Sequence, residues 1–397
     1  MLKVGVFLNI ASPEDGGAST LLATIKNEIE DSADTDIKDT QFIILYCGGL
    51  QKKYKRIVDN TCYINISRIT PLKKILNKLE KRLFGINTED KRLNYVAEKE
   101  SIDLFWITSP CQFSIDYPYI FTIWDLAHRS VPYFPEVTRT GWIWDDREFI
   151  YQKMVYKASY IITGNENGKK EILENYSIPS DKIRISSFPV AAFCHGKEIK
   201  PKFLTDEHYF FYPAQFWPEK NHIVIIDALE ILRDKFNKTP IVYMVGSDKG
   251  NKAYIESEIL KRGLNKQVII PGFVSNEELK YLYTHAVGMI FASLVGPNNM
   301  PPIEATYLGC PVIITNLDGH KEQLQDTALY FNGYKPEELA EHMKTLLTDG
   351  VVRSAIIEKE KVLGKQFGTI NYFKEIKKII KEFSLIRRTW GVDYRHL

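Results

Sequence analysis

The sequence is poor in cysteine and has no long apolar run. Its 397 residues include five cysteines, none in a C-x-x-C pair, which excludes a disulfide framework and indicates buried thiols in a reducing compartment. No apolar stretch approaches the roughly 20 residues that span a bilayer, and the first residues lack a signal peptide's apolar core. A formal net charge of +2 gives no reason to expect a nucleic-acid partner. These absences predict a cytoplasmic protein that meets a membrane only peripherally.

Patterns typical of metal sites are absent as well. The eight histidines are dispersed along the chain. No group of His, Cys and Asp residues has the spacing of metal ligands. The sequence therefore predicts no metal ion and no other bound cofactor.

Short apolar runs alternate with amphipathic stretches, which is typical of βα units and parallel sheets. The length of 397 residues fits two domains of about 150–200 residues each. Strand candidates form two series. The first series is 3–9, 41–46, 104–108, 119–123 and 160–163, and the second is 209–212, 241–245, 268–270, 288–292 and 311–315.

The segment 191–206, with its charged Lys-Pro-Lys core, separates the two series and has the composition of a linker. We therefore predict two Rossmann-like, doubly wound domains, an N-terminal one over 1–198 and a C-terminal one over 199–370. The last residues, 371–397, have an amphipathic helical pattern rich in Lys, Ile and Phe.

The most informative stretch runs from Phe291 to Ile314. A buried strand pattern leads into a loop rich in Pro, Asn and Gly, and then into a short helix and a second strand. The N-terminus of a helix offers free N–H groups and a positive dipole end to an anion, typically a phosphate. Glu304, placed in the first turn, can accept hydrogen bonds from hydroxyls such as those of a ribose. The alternative is an ordinary buried βαβ unit with a Pro-rich turn.

This stretch resembles the donor-sugar loop of the retaining glycosyltransferases of family four, in which a Glu, seven residues and a second Glu precede a small residue, a Gly and Pro-Val-Ile. The matching residues are Glu304, Ala305, Gly309, Pro311, Val312 and Ile313. Gly296 replaces the family's first Glu, which contacts the transferred sugar. The resemblance therefore implies that sugar contacts come from elsewhere, and Asn298, Asn299, Met300 and the loop amides are the candidates.

A second strand-to-helix junction, between Tyr212 and His222, is similar to the family loop that holds the donor diphosphate with an Arg and a Lys. Gln215 falls on the Arg position and Lys220 on the Lys position. A Lys ammonium binds phosphate as a point charge and offsets the charge of the leaving group. This loop has one cationic side chain fewer than the family's. Either Lys220 holds the diphosphate with helix dipoles alone, or another basic residue such as Arg129 assists. The alternative is a solvated surface lysine.

A Gly-rich turn follows the first strand candidate. Gly16 and Gly17 permit close backbone approach, and a helix capped by Ser19 or Thr20 is expected next. In the family, a Gly-Gly pair at this place lies beside the donor diphosphate. A Gly-rich turn after a first strand is also common in other proteins.

The segment after the strand candidate 268–270 resembles the family's base-binding strand end. The resemblance implies that backbone groups around Phe273 and Val274 meet the nucleobase, with Gly246 nearby. Ser275 and Glu278 have the spacing of a capping box, which predicts a helix start there on sequence grounds alone.

Asp125 and His128 follow the strand candidate 119–123, at the edge where ligands of open α/β sheets collect. A His at this place can bond a sugar hydroxyl or assist the acceptor. The segment is similar to the family's His-Asp segment, in a variant with Trp124 at the usual His position. The spacing does not decide whether Asp125 or His128 faces the donor. The alternative is a capped loop with a surface His.

The segment 72–84 places leucines and isoleucine on one helical face and five Lys and Arg on the other. This is the pattern of a helix on an anionic membrane surface, which suits a lipid-linked acceptor. It fits equally a helix that packs its apolar face on a sheet.

The resemblance covers the chain in order and implies a GT-B fold whose final helix crosses back onto the first domain. It implies a retaining, metal-independent transfer of a hexose, with mannose from GDP-mannose as the expected donor, to a hydroxyl of a glycan such as a lipid-linked O-antigen or capsule. The competing hypothesis is a degenerate GT-B protein that binds nucleotide or glycan without turnover. An epimerase or a glycogen-type phosphorylase would need an acid pair or a cofactor lysine, and neither pattern is visible.

Overall fold

The structure is a computed structural model. It describes residues 1–8, 17–31, 39–47, 55–58, 61–68, 90–140, 142–205, 208–368 and 370–390. Gly16 and the basic segment 72–84 lie outside these residues, so the expectations for them stay predictions. Among the described helices, none is long and apolar enough to cross a membrane.

The first half of the chain forms a sheet of eight strands in the order β3-β4-β2-β1-β5-β6-β7-β8. Its strands are β1 Leu2–Phe7, β2 Thr40–Tyr46, β3 Lys55–Val58, β4 Thr61–Asn65, β5 Leu104–Ile107, β6 Tyr119–Thr122, β7 Tyr160–Thr163 and β8 Ile183–Ile185. All neighbours pair in parallel except β3 and β4, which are antiparallel. The central strands are buried on both faces, which explains why they read as nearly continuous apolar runs.

The second half forms a parallel sheet of six strands in the order β11-β10-β9-β12-β13-β14. Its strands are β9 Tyr209–Pro213, β10 Ile241–Val245, β11 Val268–Gly272, β12 Gly288–Phe291, β13 Val312–Thr315 and β14 Leu329–Phe331. Strand β9 pairs with β10 on one side and β12 on the other. The order reverses between β9 and β12, and ligands of doubly wound sheets bind in the crevice at such a reversal.

Helices cover both sheets. Those of the first half are α1 Gly17–Asp31, α2 Arg92–Glu100, α3 Ala127–Ser130, α4 Pro135–Thr138, α5 Trp144–Lys157 and α6 Glu166–Asn175. Those of the second half are α7 His222–Phe236, α8 Lys252–Lys261, α9 Asn276–His285, α10 Met300–Leu308, α11 Asp318–Leu324, α12 Pro336–Thr348, α13 Gly350–Gly368 and α14 Phe373–Arg387. The capping box at the start of α9 is confirmed, because Ser275 and Glu278 exchange both hydrogen bonds.

Each predicted strand matches a strand of the structure, but β3, β4, β8 and β14 were missed. Strand β3 lies at a sheet edge and half of it is Lys and Arg. Strands β8 and β14 are three residues long. Edge strands are often short and charged, so a pattern search for apolar runs passes over them.

The final helix, α14, crosses back to the first domain, as the resemblance implied. Phe373 is fully buried, and its ring centroid lies 5.6 Å from that of Trp106 and 5.5 Å from that of Phe42. At the other end of α14, Arg387 Nε lies 2.8 Å from Asp103 Oδ1. The helix therefore ties the end of the chain to strands β2 and β5.

Replacing Phe373 by Ala is expected to destabilise the protein by about 3–5 kcal/mol, because a buried aromatic ring leaves a cavity that its neighbours fill only in part. Urea denaturation followed by tryptophan fluorescence measures the change. Leu385, which lies on the same helix and is 65% exposed, gives the matched control Leu385→Ala. Equal midpoints for the two variants would contradict the described packing of α14.

Candidate functional site

The candidate site is built on the loops that follow β9 and β12. These strands are neighbours, so the carboxyl ends of both meet at the same edge of the sheet. The loop after β9 carries Lys220 and leads into α7. The loop after β12, residues 292–299, leads into α10 and is called the β12 loop below.

Lys220 reaches the β12 loop. Its Nζ lies 3.2 Å from Ser293 Oγ and 3.3 Å from Glu219 Oε2, and 5.9 Å from the ring centroid of Phe291. The side chain is 20% exposed. The two segments that the sequence assigned to one site are therefore adjacent, and the ammonium is shared between a hydroxyl and a carboxylate.

The backbone around Lys220 is fixed by local chemistry. Pro218 opens the 3₁₀ turn Pro218–Lys220, where a missing N–H costs nothing. Asn221 ends the turn with φ 53°, a left-handed conformation that Asn tolerates better than most residues. The Asn221 side chain donates to Gly333 O at 2.8 Å. The turn therefore holds Lys220 at one defined place on the sheet edge.

Gln215 has protein partners at the position where the family carries Arg. Its Nε2 donates to Ser247 Oγ at 3.2 Å, and its Oε1 accepts from Trp217 Nε1 at 3.1 Å. Gly246 lies against the same loop, and a Cβ added there would sit 2.2 Å from Ala214 O. Gln215 and Gly246 thus join the loops after β9 and β10, and Gln215 supplies no cation.

Glu304 is the fifth residue of α10, because the helix begins at Met300. The expectation that it lies in the first turn is wrong by one turn. Glu304 is 5% exposed, and its carboxyl group accepts a hydrogen bond from the Tyr283 hydroxyl at 2.8 Å. Burial raises the pKa of Glu304 to about 7, although the bond from Tyr283 lowers it. In this conformation Glu304 faces Tyr283 below the surface of the site.

Gly296, which stands where the family has its first Glu, has φ +108°. Residues with a side chain rarely adopt this conformation. The β12 loop as folded here therefore could not carry a Glu at this position without strain. The conformation of the loop backbone thus requires Gly in place of the family's Glu.

Asn298 and Asn299, the expected substitutes, are bonded to helix α11. The Asn299 N–H donates to Gln323 Oε1 at 3.1 Å, and Gln323 Nε2 donates back to Asn299 O at 3.0 Å. Gln323 Nε2 also donates to Asn298 Oδ1. Both asparagines thus hold the shape of the loop, and Met300 is buried at the start of α10.

His320 on α11 was not found by the sequence analysis. Its Nδ1 lies 2.9 Å from Thr315 O, and its Nε2 lies 3.0 Å from Asn299 Nδ2. Burial lowers the pKa of His320 to about 4, so the ring is neutral at pH 7. Nδ1 then donates to the Thr315 carbonyl, and Nε2 accepts from Asn299. The signal in the sequence was a His five residues after the strand β13.

The β12 loop also contacts the first domain. Asn165 Nδ2 donates to Pro297 O at 2.6 Å, and this bond is buried. Asn165 caps helix α6 as well, because its Oδ1 accepts from Gly168 N at 2.9 Å. One side chain therefore fixes the start of α6 and the middle of the β12 loop.

Glu322 on α11 makes a second contact between the domains. Its two carboxylate oxygens accept from the backbone N–H groups of Glu166 and Asn167, each at 2.8 Å. These are the first two residues of α6, where N–H groups lack partners within the helix and the dipole end is positive. A carboxylate of the second domain thus occupies the helix N-terminus of the first.

His128 is buried and bonded within the first domain, which corrects the expectation that it meets a sugar hydroxyl. The ring is fully buried, and Nε2 is 3.0 Å from Glu148 Oε2. Burial lowers the pKa of His128. Arg129 Nε donates to the same carboxylate at 2.8 Å, so Arg129 is engaged there and not with the loop that carries Lys220.

Asp125 is half-buried, and its Oδ1 accepts from Ala127 N, the first N–H of the short helix α3, at 2.9 Å. Near it lies Glu171 on α6, another residue that the sequence analysis missed. Burial, with the negative charges of Asp125 and Glu174, raises the pKa of Glu171 to about 7. A carboxyl group that titrates near neutral pH is suited to proton transfer.

The remaining predicted residues lie at the edges of the site. Helix α1 is described from Gly17, so Ser19 and Thr20 lie inside the helix and not at the position of its cap. Phe273 follows the edge strand β11 and is 62% exposed, whereas Val274 is buried. Among the described residues, no group of three His, Cys, Asp or Glu could hold a metal ion.

One comparison concerns the second half of the chain. Residues 197–363 match the model of glycosyl transferases group 1. The match covers the second sheet with helices α7 to α12 and does not extend to the first sheet.

The relatives of the chain include proteins named as mannosyltransferases. The O-antigen chain mannosyltransferase RfbU of Salmonella typhimurium is 26% identical over 186 residues, which are 46% of this chain and 50% of RfbU. The serotype-specific mannosyltransferase WbdA of Escherichia coli is 26% identical over 217 residues, 51% of this chain and 26% of WbdA. The chain thus spans about half the length of RfbU and a quarter of WbdA.

The solved structure of Anabaena Alr3699/HepE in complex with UDP-glucose matches with a TM-score of 0.68 and 14% identity. The match covers 97% of this chain and 100% of HepE. A likeness at this identity shows the fold alone. The GT-B fold that the sequence resemblance implied is therefore confirmed.

Replacing Glu322 by Ala is expected to release the N-terminus of α6 from the second domain. The backbone amides of Glu166 and Asn167 should then exchange hydrogen faster, since a carboxylate at a helix N-terminus is worth about 0.3–2 kcal/mol. Hydrogen exchange read by mass spectrometry on peptides of α6 measures this. The exposed Glu341 on α12 gives the control Glu341→Ala, and unchanged exchange in Glu322→Ala would contradict the contact.

Glu304→Gln is expected to make the unliganded protein relatively more stable as the pH rises. The carboxyl pKa is 4.5 in the unfolded chain and about 7 in the folded protein, so the folded state binds more protons between these values. The free energy of unfolding of the wild type therefore falls as pH rises from 4.5 through 7, by up to about 3 kcal/mol. Gln removes this loss.

Thermal denaturation of both proteins between pH 5 and pH 8 measures the difference. Other titrating groups are common to the two proteins, so the difference between their melting temperatures isolates Glu304. The exposed Glu358 supplies the control Glu358→Gln. A difference that stays flat over this range would show that Glu304 has an ordinary pKa.

Proposed function

We propose that the protein is a retaining hexosyltransferase, which transfers mannose from GDP-mannose to a hydroxyl of a growing surface glycan. The observation that carries the proposal is the meeting of Lys220 with the β12 loop at the point where the strand order reverses. The family match of residues 197–363 and the names of RfbU and WbdA support the same activity.

The diphosphate of the donor is proposed to bind between Lys220 and the N-terminus of α10. Helix α10 has nine residues, and its positive dipole end favours an anion. Pro301 and Pro302 carry no N–H, so Met300 is the one backbone donor among the first three residues of the helix. In the unliganded protein, the ammonium of Lys220 is bonded to Glu219 Oε2 and Ser293 Oγ. A phosphate oxygen would take the place of one of these acceptors and receive a charge-assisted hydrogen bond.

Cleavage of the glycosidic bond places negative charge on the diphosphate. Lys220 and the helix end are fixed before the reaction, so they stabilise this charge without reorganisation. The acceptor hydroxyl is proposed to attack the anomeric carbon on the face from which the diphosphate leaves, which gives retention. Its oxygen forms the new glycosidic bond, the bond to the diphosphate breaks, and its proton passes to the departing phosphate oxygen. No metal ion is assigned to this step. Gly17 is proposed to lie near the diphosphate, and Phe273 near the nucleobase.

Glu304 is proposed to accept a hydrogen bond from the donor ribose. Its carboxyl group is now bonded to the Tyr283 hydroxyl, and burial holds its pKa at about 7. A hydroxyl donor would stabilise the charged form and lower this pKa. Binding of the donor and ionisation of Glu304 are therefore linked on this proposal.

The segment 72–84 is proposed to hold the enzyme on an anionic membrane surface, where a lipid-linked acceptor would lie. Its five basic residues and its apolar face are the support for this part of the proposal. Binding to vesicles with and without phosphatidylglycerol tests it. Equal binding to both vesicle types, or to neither, would reject the membrane role.

Thermal shifts with GDP, UDP, ADP and dTDP and their mannose or glucose conjugates test the donor. A ligand that binds the folded state alone raises the melting temperature, and at a fixed concentration a tighter ligand raises it more. We expect a shift with GDP and GDP-mannose that EDTA leaves unchanged. A shift abolished by EDTA would reject the metal-independent mechanism, and binding without any release of GDP would favour the non-catalytic alternative.

Lys220→Ala is expected to weaken GDP binding by roughly 10- to 100-fold, since a hydrogen bond to a charged group contributes about 1.5–3 kcal/mol. Isothermal titration calorimetry measures the affinity. The exposed Lys261 on α8 provides the control Lys261→Ala in the same domain. If Lys220→Ala and Lys261→Ala bind GDP equally well, the diphosphate does not lie on Lys220.

A further inference from the structure

Glu136 in the first domain contacts the turn that carries Lys220 in the second. Glu136 lies in the short helix α4 and is 8% exposed. Its Oε1 accepts from the backbone N–H of Glu219 at 3.1 Å. The contact joins residues 83 positions apart in the sequence, and the sequence analysis did not single out either carboxylate.

The N–H of Glu219 has no partner within its own turn. Pro218 has no N–H, and Trp217 at the cap position makes no side-chain bond to the turn. The N–H of Lys220, in contrast, donates to Trp217 O at 3.1 Å. The free donor at the start of the Lys220 turn is therefore satisfied by a carboxylate of the other domain.

Glu136 is not a satisfied structural carboxylate. Its second oxygen, Oε2, is buried and has no hydrogen-bond partner among the described residues. Burial and the nearby charge of Glu219 raise the pKa of Glu136, and the backbone donors and Lys220 oppose this. Burying an unpartnered carboxylate oxygen costs free energy, so the contact is made at the expense of stability.

The turn held by Glu136 also fixes the β12 loop. Leu294 N donates to Glu219 O at 2.9 Å, and Ser293 Oγ donates to Glu219 Oε2 at 3.3 Å. Lys220 Nζ contacts Ser293 Oγ in the same group. A displacement of the Glu219 backbone would therefore move both the ammonium and the loop that faces it.

We propose that Glu136 is a positioning residue for Lys220, which sets the ammonium in its working place when the two domains close. Because Glu136 and Lys220 belong to different domains, the hydrogen bond to Glu219 exists only in the closed arrangement. Opening the cleft leaves Lys220 able to bind a diphosphate but without this support. This inference rests on the proposed function, and it identifies Glu136 as the residue that links domain closure to the position of Lys220.

The test compares Glu136→Ala and Glu136→Gln with the wild type. The readouts are kcat and KM for GDP release from GDP-mannose, with water or a mannose-terminated glycan as acceptor, and the affinity for GDP by calorimetry. Ala removes the acceptor of the Glu219 N–H, so kcat should fall roughly 10-fold or more while the affinity for GDP changes less than two-fold. Gln keeps a side-chain oxygen for that N–H and should restore most of kcat.

A double-mutant cycle separates positioning from a general structural role. In a Lys220→Ala background, Glu136→Ala should reduce kcat no further, because the group that it positions is gone. Additive losses, an unchanged kcat in Glu136→Ala, or a Gln variant as impaired as the Ala variant would each overturn the inference. The exposed Glu174 on α6 gives the control Glu174→Ala.

A second variant and the activity of the wild type distinguish the possible outcomes. If Glu136→Ala does not fold, Glu136→Asp takes its place, since the shorter side chain withdraws the acceptor from Glu219 and should lower kcat in the same way. If the wild type neither binds GDP nor releases it from GDP-mannose, the proposed function fails. A wild type that is active and insensitive to Glu136 rejects the inference alone.

Discussion

The site depends on the buried hydrogen bond from the Asn165 amide to the Pro297 carbonyl, which crosses the domain boundary. A buried carbonyl without a partner costs about 1–3 kcal/mol, so the conformation of the β12 loop and the arrangement of the domains are coupled. Glu322 and Glu136 make two further contacts between the domains. The shape of the loop therefore depends on both domains and not on the second domain alone.

Helix α11 explains how a loop rich in Pro, Gly and Asn keeps one conformation. His320 and Gln323 of this helix form hydrogen bonds with the side chain and the backbone of Asn299. Glu322 of the same helix contacts the first domain. Because the pKa of His320 is lowered to about 4 by burial, its bonds do not change over the physiological pH range. One short helix thus stabilises the loop through the neutral side chains of His320 and Gln323, while its charged Glu322 binds the start of α6.

Features set by neighbouring residues were predicted from the sequence, and contacts between residues distant in sequence were not. The buried strands and the Ser275 capping box follow from periodicity and from three-residue spacing. Glu304 was expected in the first turn of α10, but the helix begins at Met300, where Pro301 and Pro302 fit a first turn that needs no N–H from them. Glu136 and Glu322 bind backbone groups 83 and about 155 positions away, and no local pattern marks such partners.

Glu219 explains why the position of Lys220 depends on both domains. Its carboxylate lies 3.3 Å from Lys220 Nζ, its N–H donates to Glu136 of the first domain, and its carbonyl accepts from Leu294 of the β12 loop. One residue therefore links the ammonium, the loop and the first domain. A displacement of the turn would alter all three contacts together, so the geometry around Lys220 follows the arrangement of the two domains.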